Sequence, residues 1–295
     1  MNKSKIIAAS GLATVMSATA ATADSVSLNG YIEGWFTSGD SASGVTNTVY
    51  SQSVYVSYST TLDNGMGLTA GFTITNSLHA AGFSVDTGMG TLATGTGWQV
   101  NSAVDAMDSL PNNANVQSSN KKLGTYDDGD NQTGEGIKYT SPSINGWKLA
   151  ASIGENITRT ETGSSAQARG ANDDRTTSVA IKGSVMGLSI AAGTVNQADG
   201  EDDSFMTLGY SVAGVGIGYG NYDSEDDETT IVSVKTDVAG MTVGYRYDDL
   251  DAATDNSMNT YSIGKSLGGM SLTLMYEEQD TADKSEWNLV YAMGF

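Results

Sequence analysis

The 295-residue sequence has no cysteine, one histidine, two prolines and 14 Lys+Arg against 34 Asp+Glu. Without cysteine there is no disulfide, no thiolate nucleophile and no Cys-ligated zinc or iron–sulfur centre. The single histidine, His79, leaves no material for a His-cluster metal site. No paired base or nucleophile lies near it in sequence, so it does not suggest catalysis. A formal charge of −20 excludes nucleic acid as a partner, because that needs a basic face. Long apolar runs are also missing. Past the N-terminus no stretch approaches 18 apolar residues, so no transmembrane helix is expected. The 39% hydrophobic content is low for a soluble domain. Yet Tyr, Val, Thr and Ile recur throughout, which marks strands and not disorder.

The N-terminal segment has the form of an address. Lys3 and Lys5 precede an apolar stretch from Ile6 to Met16, and small residues follow up to Ala21-Thr-Ala23. That is the charged, apolar and cleavage-site order of a secretory signal peptide spanning residues 1–23. Cleavage there leaves 272 residues, 24–295, with a formal charge of −22. A soluble chain of that length with so few apolar residues would struggle to fill a core. One that turns them outward into lipid does not need such a core. Export without cysteine fits a Gram-negative envelope.

What the chain does have is a repeat. Ser143-Ile-Asn-Gly-Trp-Lys-Leu149, Ser184-Val-Met-Gly-Leu-Ser-Ile190, Ser211-Val-Ala-Gly-Val-Gly-Ile217, Asp237-Val-Ala-Gly-Met-Thr-Val243 and Ser266-Leu-Gly-Gly-Met-Ser-Leu272 share one pattern. Each runs polar, apolar, small, Gly, and then alternates. Gly187, Gly214, Gly240 and Gly269 are 27, 26 and 29 residues apart. Gly between two alternating runs supplies the positive φ of a tight hairpin turn. Asp63-Asn-Gly-Met-Gly67 and Thr87-Gly-Met-Gly90 add two more such turns. Longer polar stretches lie between them, at 38–49, 76–82, 97–134, 156–174, 197–203, 224–228, 249–256 and 280–283. Seven short turns alternating with eight longer loops separate sixteen strands, with both termini on the short-turn side. An even strand number and two alternating size classes of connection are the signature of an all-β, 16-stranded antiparallel transmembrane β-barrel.

The strand interiors alternate accordingly. Val26, Leu28, Ile32 and Phe36 interleave with Ser27, Asn29, Tyr31, Glu33 and Trp35. The same holds for Leu68, Ala70, Phe72 and Ile74, for Met241, Val243, Tyr245 and Tyr247, and for Trp287, Leu289, Tyr291, Met293 and Phe295. A period of two places these sets outward and their neighbours inward. A charge facing lipid at mid-membrane costs about 2–4 kcal/mol for Lys or Arg, so strand-interior charges belong inside. By that parity Lys138, Lys148, Lys182, Lys235, Arg246, Glu33, Glu277 and Glu286 line the lumen. Gly214, Gly216, Gly218 and Gly220 alternate in a strand with no following helix, so they are no phosphate loop and instead leave room for aromatic neighbours.

The chain resembles the general-diffusion porins of the Gram-negative outer membrane, of the compact alphaproteobacterial kind, along all of 24–295. The residues that carry the likeness are Ser27-Leu-Asn-Gly-Tyr-Ile-Glu-Gly-Trp35, the terminal Phe295, and Gly90-Thr-Leu-Ala-Thr-Gly95 followed by Ser102-Ala-Val-Asp-Ala106. The resemblance implies a homotrimer of water-filled barrels, partnered by outer-membrane lipid and lipopolysaccharide and passing ions and small hydrophilic solutes. It also implies that the 38-residue loop 97–134 folds into the lumen and sets the constriction. The constriction acids are then Asp105 and Asp108, with Asp127, Asp128 and Asp130 beyond Lys121 and Lys122. Phe295 serves assembly. One feature departs from the family: no Lys or Arg lies between Lys5 and Lys121, so the early-strand arginine cluster is missing.

The expected function is thus a non-enzymatic, modestly cation-selective diffusion channel with no cofactor. The acidic runs Asp127-Asp-Gly-Asp-Asn131, Glu201-Asp-Asp203 and Glu225-Asp-Asp-Glu228 offer oxygen ligands for calcium, although none has the spacing of a dedicated site. A substrate-selective channel of the same fold stays open at this stage. Its inward aromatics would be Tyr31, Trp35, Tyr55 and Tyr222, which form no obvious line. Further off stand an outer-membrane barrel enzyme and a soluble secreted adhesin.

Overall fold

The computed structural model describes residues 25–40, 45–75, 79–96, 103, 133–156, 175–196, 202–223, 228–251, 256–280 and 284–295. Sixteen strands run in chain order: β1 (Ser25–Gly39), β2 (Thr46–Thr61), β3 (Gly67–Thr75), β4 (His79–Asp86), β5 (Thr91–Thr96), β6 (Thr133–Thr140), β7 (Lys148–Asn156), β8 (Arg175–Val185), β9 (Leu188–Asn196), β10 (Asp202–Val212), β11 (Val215–Asp223), β12 (Glu228–Val238), β13 (Met241–Asp251), β14 (Asn256–Leu267), β15 (Met270–Gln279) and β16 (Lys284–Gly294). Each pairs antiparallel with its sequence neighbours, and β1 pairs with β16 to close the barrel. Closure gives each strand a neighbour on both sides, so ladder N–H and C=O groups find partners without water, as a bilayer requires.

The tight turns are built as the repeat implied, with one addition. Positive φ falls on two consecutive residues in Asn145-Gly146, Met186-Gly187, Ala213-Gly214 and Ala239-Gly240. That is the backbone of a type I′ turn, whose twist matches the flanking strands. The non-glycine member adopts the left-handed conformation at some cost, which hairpin pairing on both sides offsets. At the fifth repeat the positive φ sits on Gly268, one position before Gly269, as in a type II′ turn.

Two loop boundaries differ most from expectation. β1 runs on to Gly39 and β2 begins at Thr46, inside the expected loop 38–49. His79, expected in a loop, opens β4 opposite Ile74. In both places the ladder of the neighbouring strand carries the pairing past polar residues of low strand propensity.

The seam is sealed at the C-terminus. The Gly30 N–H donates to the Phe295 carbonyl over 2.6 Å, and the Phe295 N–H donates back to Gly30 over 3.0 Å. The Phe295 ring lies over Gly30 so closely that a Cβ there would overlap it. The outward face is apolar: Leu28, Ile137, Leu149, Val179, Ile217 and Leu289 are all exposed. Four outward rings, Tyr245, Tyr261, Tyr276 and Trp287, form a row across β13–β16 with centroids 5.2, 6.3 and 4.8 Å apart. Such a row suits the interface, where rings meet headgroups. Outward Lys265, Asp249 and Glu278 sit near strand ends, away from the middle of the apolar band.

Candidate functional site

Away from the strand ends the charges lie on the inward face, and their sign differs by sector. In a closed sixteen-strand barrel, strands eight apart face each other, so β6, β7 and β8 look across at β14, β15 and β16. Lys138 on β6, Lys148 on β7 and Lys182 on β8 share the inward face with the buried Ser152, Ala150 and Ala180. Lys148 stands opposite Lys182 in the ladder, and Lys138 opposite Ser152. Lys235 is inward on β12, level with Gly216 and Gly244.

The facing sector is acidic. Glu277 on β15 and Glu286 on β16 are ladder partners and both buried. The Asn288 amide bridges them, donating to Glu277 Oε2 and Glu286 Oε1 at 2.9 Å each. Asn288 Oδ1 in turn accepts from the Thr37 hydroxyl of β1 over 2.7 Å. One amide with donors and acceptor all engaged fixes two carboxyl groups side by side. Glu33 on β1 accepts from the Tyr31 hydroxyl. Arg246 on β13 is inward and 5% exposed, and it is clasped by Asp248 two residues along the same strand. Its Nε donates to both carboxylate oxygens, at 2.8 and 3.0 Å, and its terminal nitrogen to Oδ1 at 2.6 Å. Arg246 is therefore a charge neutralised in place.

A third element enters from the long segment between β5 and β6. Ala103 is fully buried inside the barrel. Its N–H donates to Ser152 Oγ at 3.0 Å and to Ser178 Oγ at 2.8 Å, on the inward faces of β7 and β8. The two hydroxyls are themselves bonded at 2.5 Å. Around it Ala150, Ala180, Ala191, Val195, Phe205, Tyr222 and Ile231 make an apolar patch on the inner wall from β7 to β12. Small residues let a backbone approach the wall, and the stacked pair Phe205–Tyr222, centroids 6.4 Å apart, closes the patch at one side. An apolar patch on the lumen side of a barrel is a seat for protein.

Of the residues singled out from sequence, Glu33, Lys138, Lys148, Lys182, Lys235 and Arg246 all lie on the inward face. Asp105, Asp108, Asp127, Asp128 and Asp130, with Lys121 and Lys122, lie outside the described residues. Among the described residues no three His, Asp or Glu side chains gather as a metal site needs. Tyr222 and Trp35 are inward but buried. Sequence reasoning missed Asp248, Asn288, Ser152, Ser178 and the apolar seat. Asp248 was available by parity, since it lies two residues from Arg246 on one face. The seat had no such signal.

A sealed sixteen-strand barrel with apolar residues outside and charges inside is matched along its length by the model of the Gram-negative porin family, over residues 8–294. The chain belongs to the Gram-negative porin family. The porin is similar in fold to a loop-deletion mutant of OmpT, an outer-membrane protein of Vibrio cholerae, at 14% identity and TM-score 0.68, covering 92% of this chain and 99% of that one. It is likewise similar to variants of the Rhodopseudomonas blastica porin. One of these gives 18% identity and TM-score 0.66, with 92% of this chain and 100% of the other covered. No curated protein matches the sequence. Family and fold place the porin in the outer membrane of a Gram-negative bacterium as a channel, and both point to a non-enzymatic one.

Proposed function

We propose that the porin is a general-diffusion channel for ions and small hydrophilic solutes, modestly cation-selective, narrowed by the segment 97–134, exported by residues 1–23 and assembled as a homotrimer. The observation that carries the constriction is Ala103, buried inside the barrel and hydrogen-bonded to its wall. Asp105 and Asp108, two and five residues further along the sequence, are the acids we assign to the constriction. The homotrimer rests on the likeness to the porin family alone.

Selectivity follows from charge. Without residues 1–23 the chain has 12 bases and 34 acids, and among the wall charges Arg246 is cancelled by Asp248. A net-negative aqueous wall enriches cations within a Debye length of about 10 Å at 0.1 M salt. That length is comparable to a porin constriction, so selectivity is visible at low salt and fades at high salt. The test is the reversal potential of the purified porin in a planar bilayer under a potassium chloride gradient. The sign expected is that of a cation-selective pore. Anion selectivity contradicts the proposal, and sugar flux that saturates with concentration points to a substrate-selective channel instead.

A further inference from the structure

The inner wall is not equally open around the barrel. Ala191, Thr207, Ser233, Ser262, Thr273 and Val290 lie inward on β9, β10, β12, β14, β15 and β16, four to six positions from the tight-turn ends, and all are buried. Ser57, Gly71 and Gly82 lie inward on β2, β3 and β4, five positions from theirs, and are only half-buried. Tyr55, beyond Ser57 on the same face, is 41% exposed. Among the described residues, water thus reaches the middle of the wall along β2–β4 and is kept from it on those six strands. The open wall carries hydroxyls and no base. No Lys or Arg lies between Lys5 and Lys121, and the inward charges of β1–β5 among the described residues are Glu33 and Asp86. Ser59, Thr69 and Ser84 stand in register across β2, β3 and β4, with the Ser59 and Thr69 hydroxyls 3.2 Å apart. Ser57 extends the wall onto β1 through a 2.7 Å bond to Ser27. One step further from the turns, Gly71, Gly82 and Gly95 are aligned across β3, β4 and β5, so no side chain intrudes there. At the foot, a recess of about 370 Å³ is lined by Ser59, Thr69, Ser84, Asp86 and Thr91 among others. Short turns face the periplasm, so the recess lies at the periplasmic mouth.

We propose that this base-free hydroxyl wall is the path of neutral polyhydroxylated solutes, pentoses and hexoses, with the recess as its periplasmic end. The proposal rests on the channel function above and names a solute class for it. A sugar that sheds water in a narrow pore must keep its own hydroxyls hydrogen-bonded. A serine or threonine hydroxyl both donates and accepts, so it serves a sugar hydroxyl in either sense and keeps capacity after one bond within the wall. Lysine only donates and a carboxylate only accepts. At about 370 Å³ the recess is at the small end of ligand sites, which run from about 300 to 1,000 Å³, so it takes a single ring. Asp86, held by the Gly88 N–H at 2.9 Å, adds one anionic acceptor there. Each bond to the wall replaces one to water, so the gain is small and passage stays diffusive.

The experiment measures D-glucose uptake into proteoliposomes and single-channel conductance in potassium chloride for the same set of proteins. Ser59→Ala/Thr69→Val/Ser84→Ala/Thr91→Val removes four wall hydroxyls, alters no charge and adds no bulk. Glucose uptake is expected to fall about threefold, as for the net loss of about one hydrogen bond at the slowest step, while conductance stays at the wild-type level. Ser266→Ala/Ser271→Ala removes an inward hydroxyl pair at the tight-turn ends of β14 and β15 and is expected to leave uptake unchanged. Wild-type uptake in the quadruple variant, an equal fall in Ser266→Ala/Ser271→Ala, or a fall in conductance that matches the fall in uptake each overturns the proposal. If the quadruple variant does not fold, Ser84→Ala/Thr91→Val is read by the same two measurements against the same outcomes. Discrete conductance steps in all these proteins leave the channel function standing whichever way uptake turns, and their absence from the wild type refutes the channel itself.

Discussion

The seat of Ala103 gives the sharpest handle on the constriction. Its buried N–H is shared between two serine hydroxyls, at 3.0 Å to Ser152 and 2.8 Å to Ser178. Removing one hydroxyl leaves the other to accept, so Ser152→Ala or Ser178→Ala alone should cost well under about 1 kcal/mol. Removing both strands a buried donor, at about 1–3 kcal/mol. At about 1.4 kcal/mol per tenfold, the double variant raises the population with this segment off the wall about 5- to 150-fold. The effect is strongly non-additive, as expected for two residues sharing one partner. Single-channel recording reads it directly: the single variants behave like wild type, and the double variant flickers to additional conductance levels. Rescue by Ser152→Ala/Ser178→Thr, which restores one hydroxyl, separates the hydrogen bond from a general loss of packing. If the double variant is as quiet as wild type, with the same conductance, the hydrogen bonds to Ala103 do not hold the segment and the reasoning fails.

Asp248→Ala leaves the buried Arg246 without the carboxylate that takes three of its hydrogen bonds, a loss of about 3–5 kcal/mol, while Arg246→Met/Asp248→Leu should be close to neutral. The check is the temperature at which the folded band on unboiled gels is lost, with a fall of about 10 °C for the single variant only. Gly30→Leu places a side chain where the Phe295 ring lies and should lower the folded fraction in the outer membrane, as should deletion of Phe295; normal yield from both would break the seam assignment. Asp105→Asn/Asp108→Asn should move the reversal potential toward zero in dilute potassium chloride, and Lys138→Ser should move it the other way; Arg246→Gln, already neutralised by Asp248, should leave its sign unchanged.

The sequence made the barrel legible because a membrane strand has only two faces. Val26, Leu28, Ile32 and Phe36 cannot share a face with Glu33 and Trp35, so period two fixes which side meets lipid. Turns were legible because X-Gly between alternating runs has few other uses. The inward placement of Lys138, Lys148, Lys182 and Lys235 followed from the same parity. What needed coordinates were contacts set by register. Glu277 and Glu286 meet across a ladder, and their bridging by Asn288 depends on where that hairpin closes. The Arg246–Asp248 clasp was visible as spacing, but its burial was not. Ala103 was least legible of all, since a small apolar residue in a long polar segment looks the same in solvent or against a wall. His79 went astray because polar neighbours outweighed a pairing made by the next strand.

The central claim, a water-filled pore narrowed from within by the segment 97–134, is tested most directly by single-channel conductance of the wild type beside a chain lacking residues 112–120. Discrete steps in both, larger in the shortened chain and with larger sugars admitted, are the predicted result. Equal steps and an equal size limit would put the segment outside the conducting path and contradict the account.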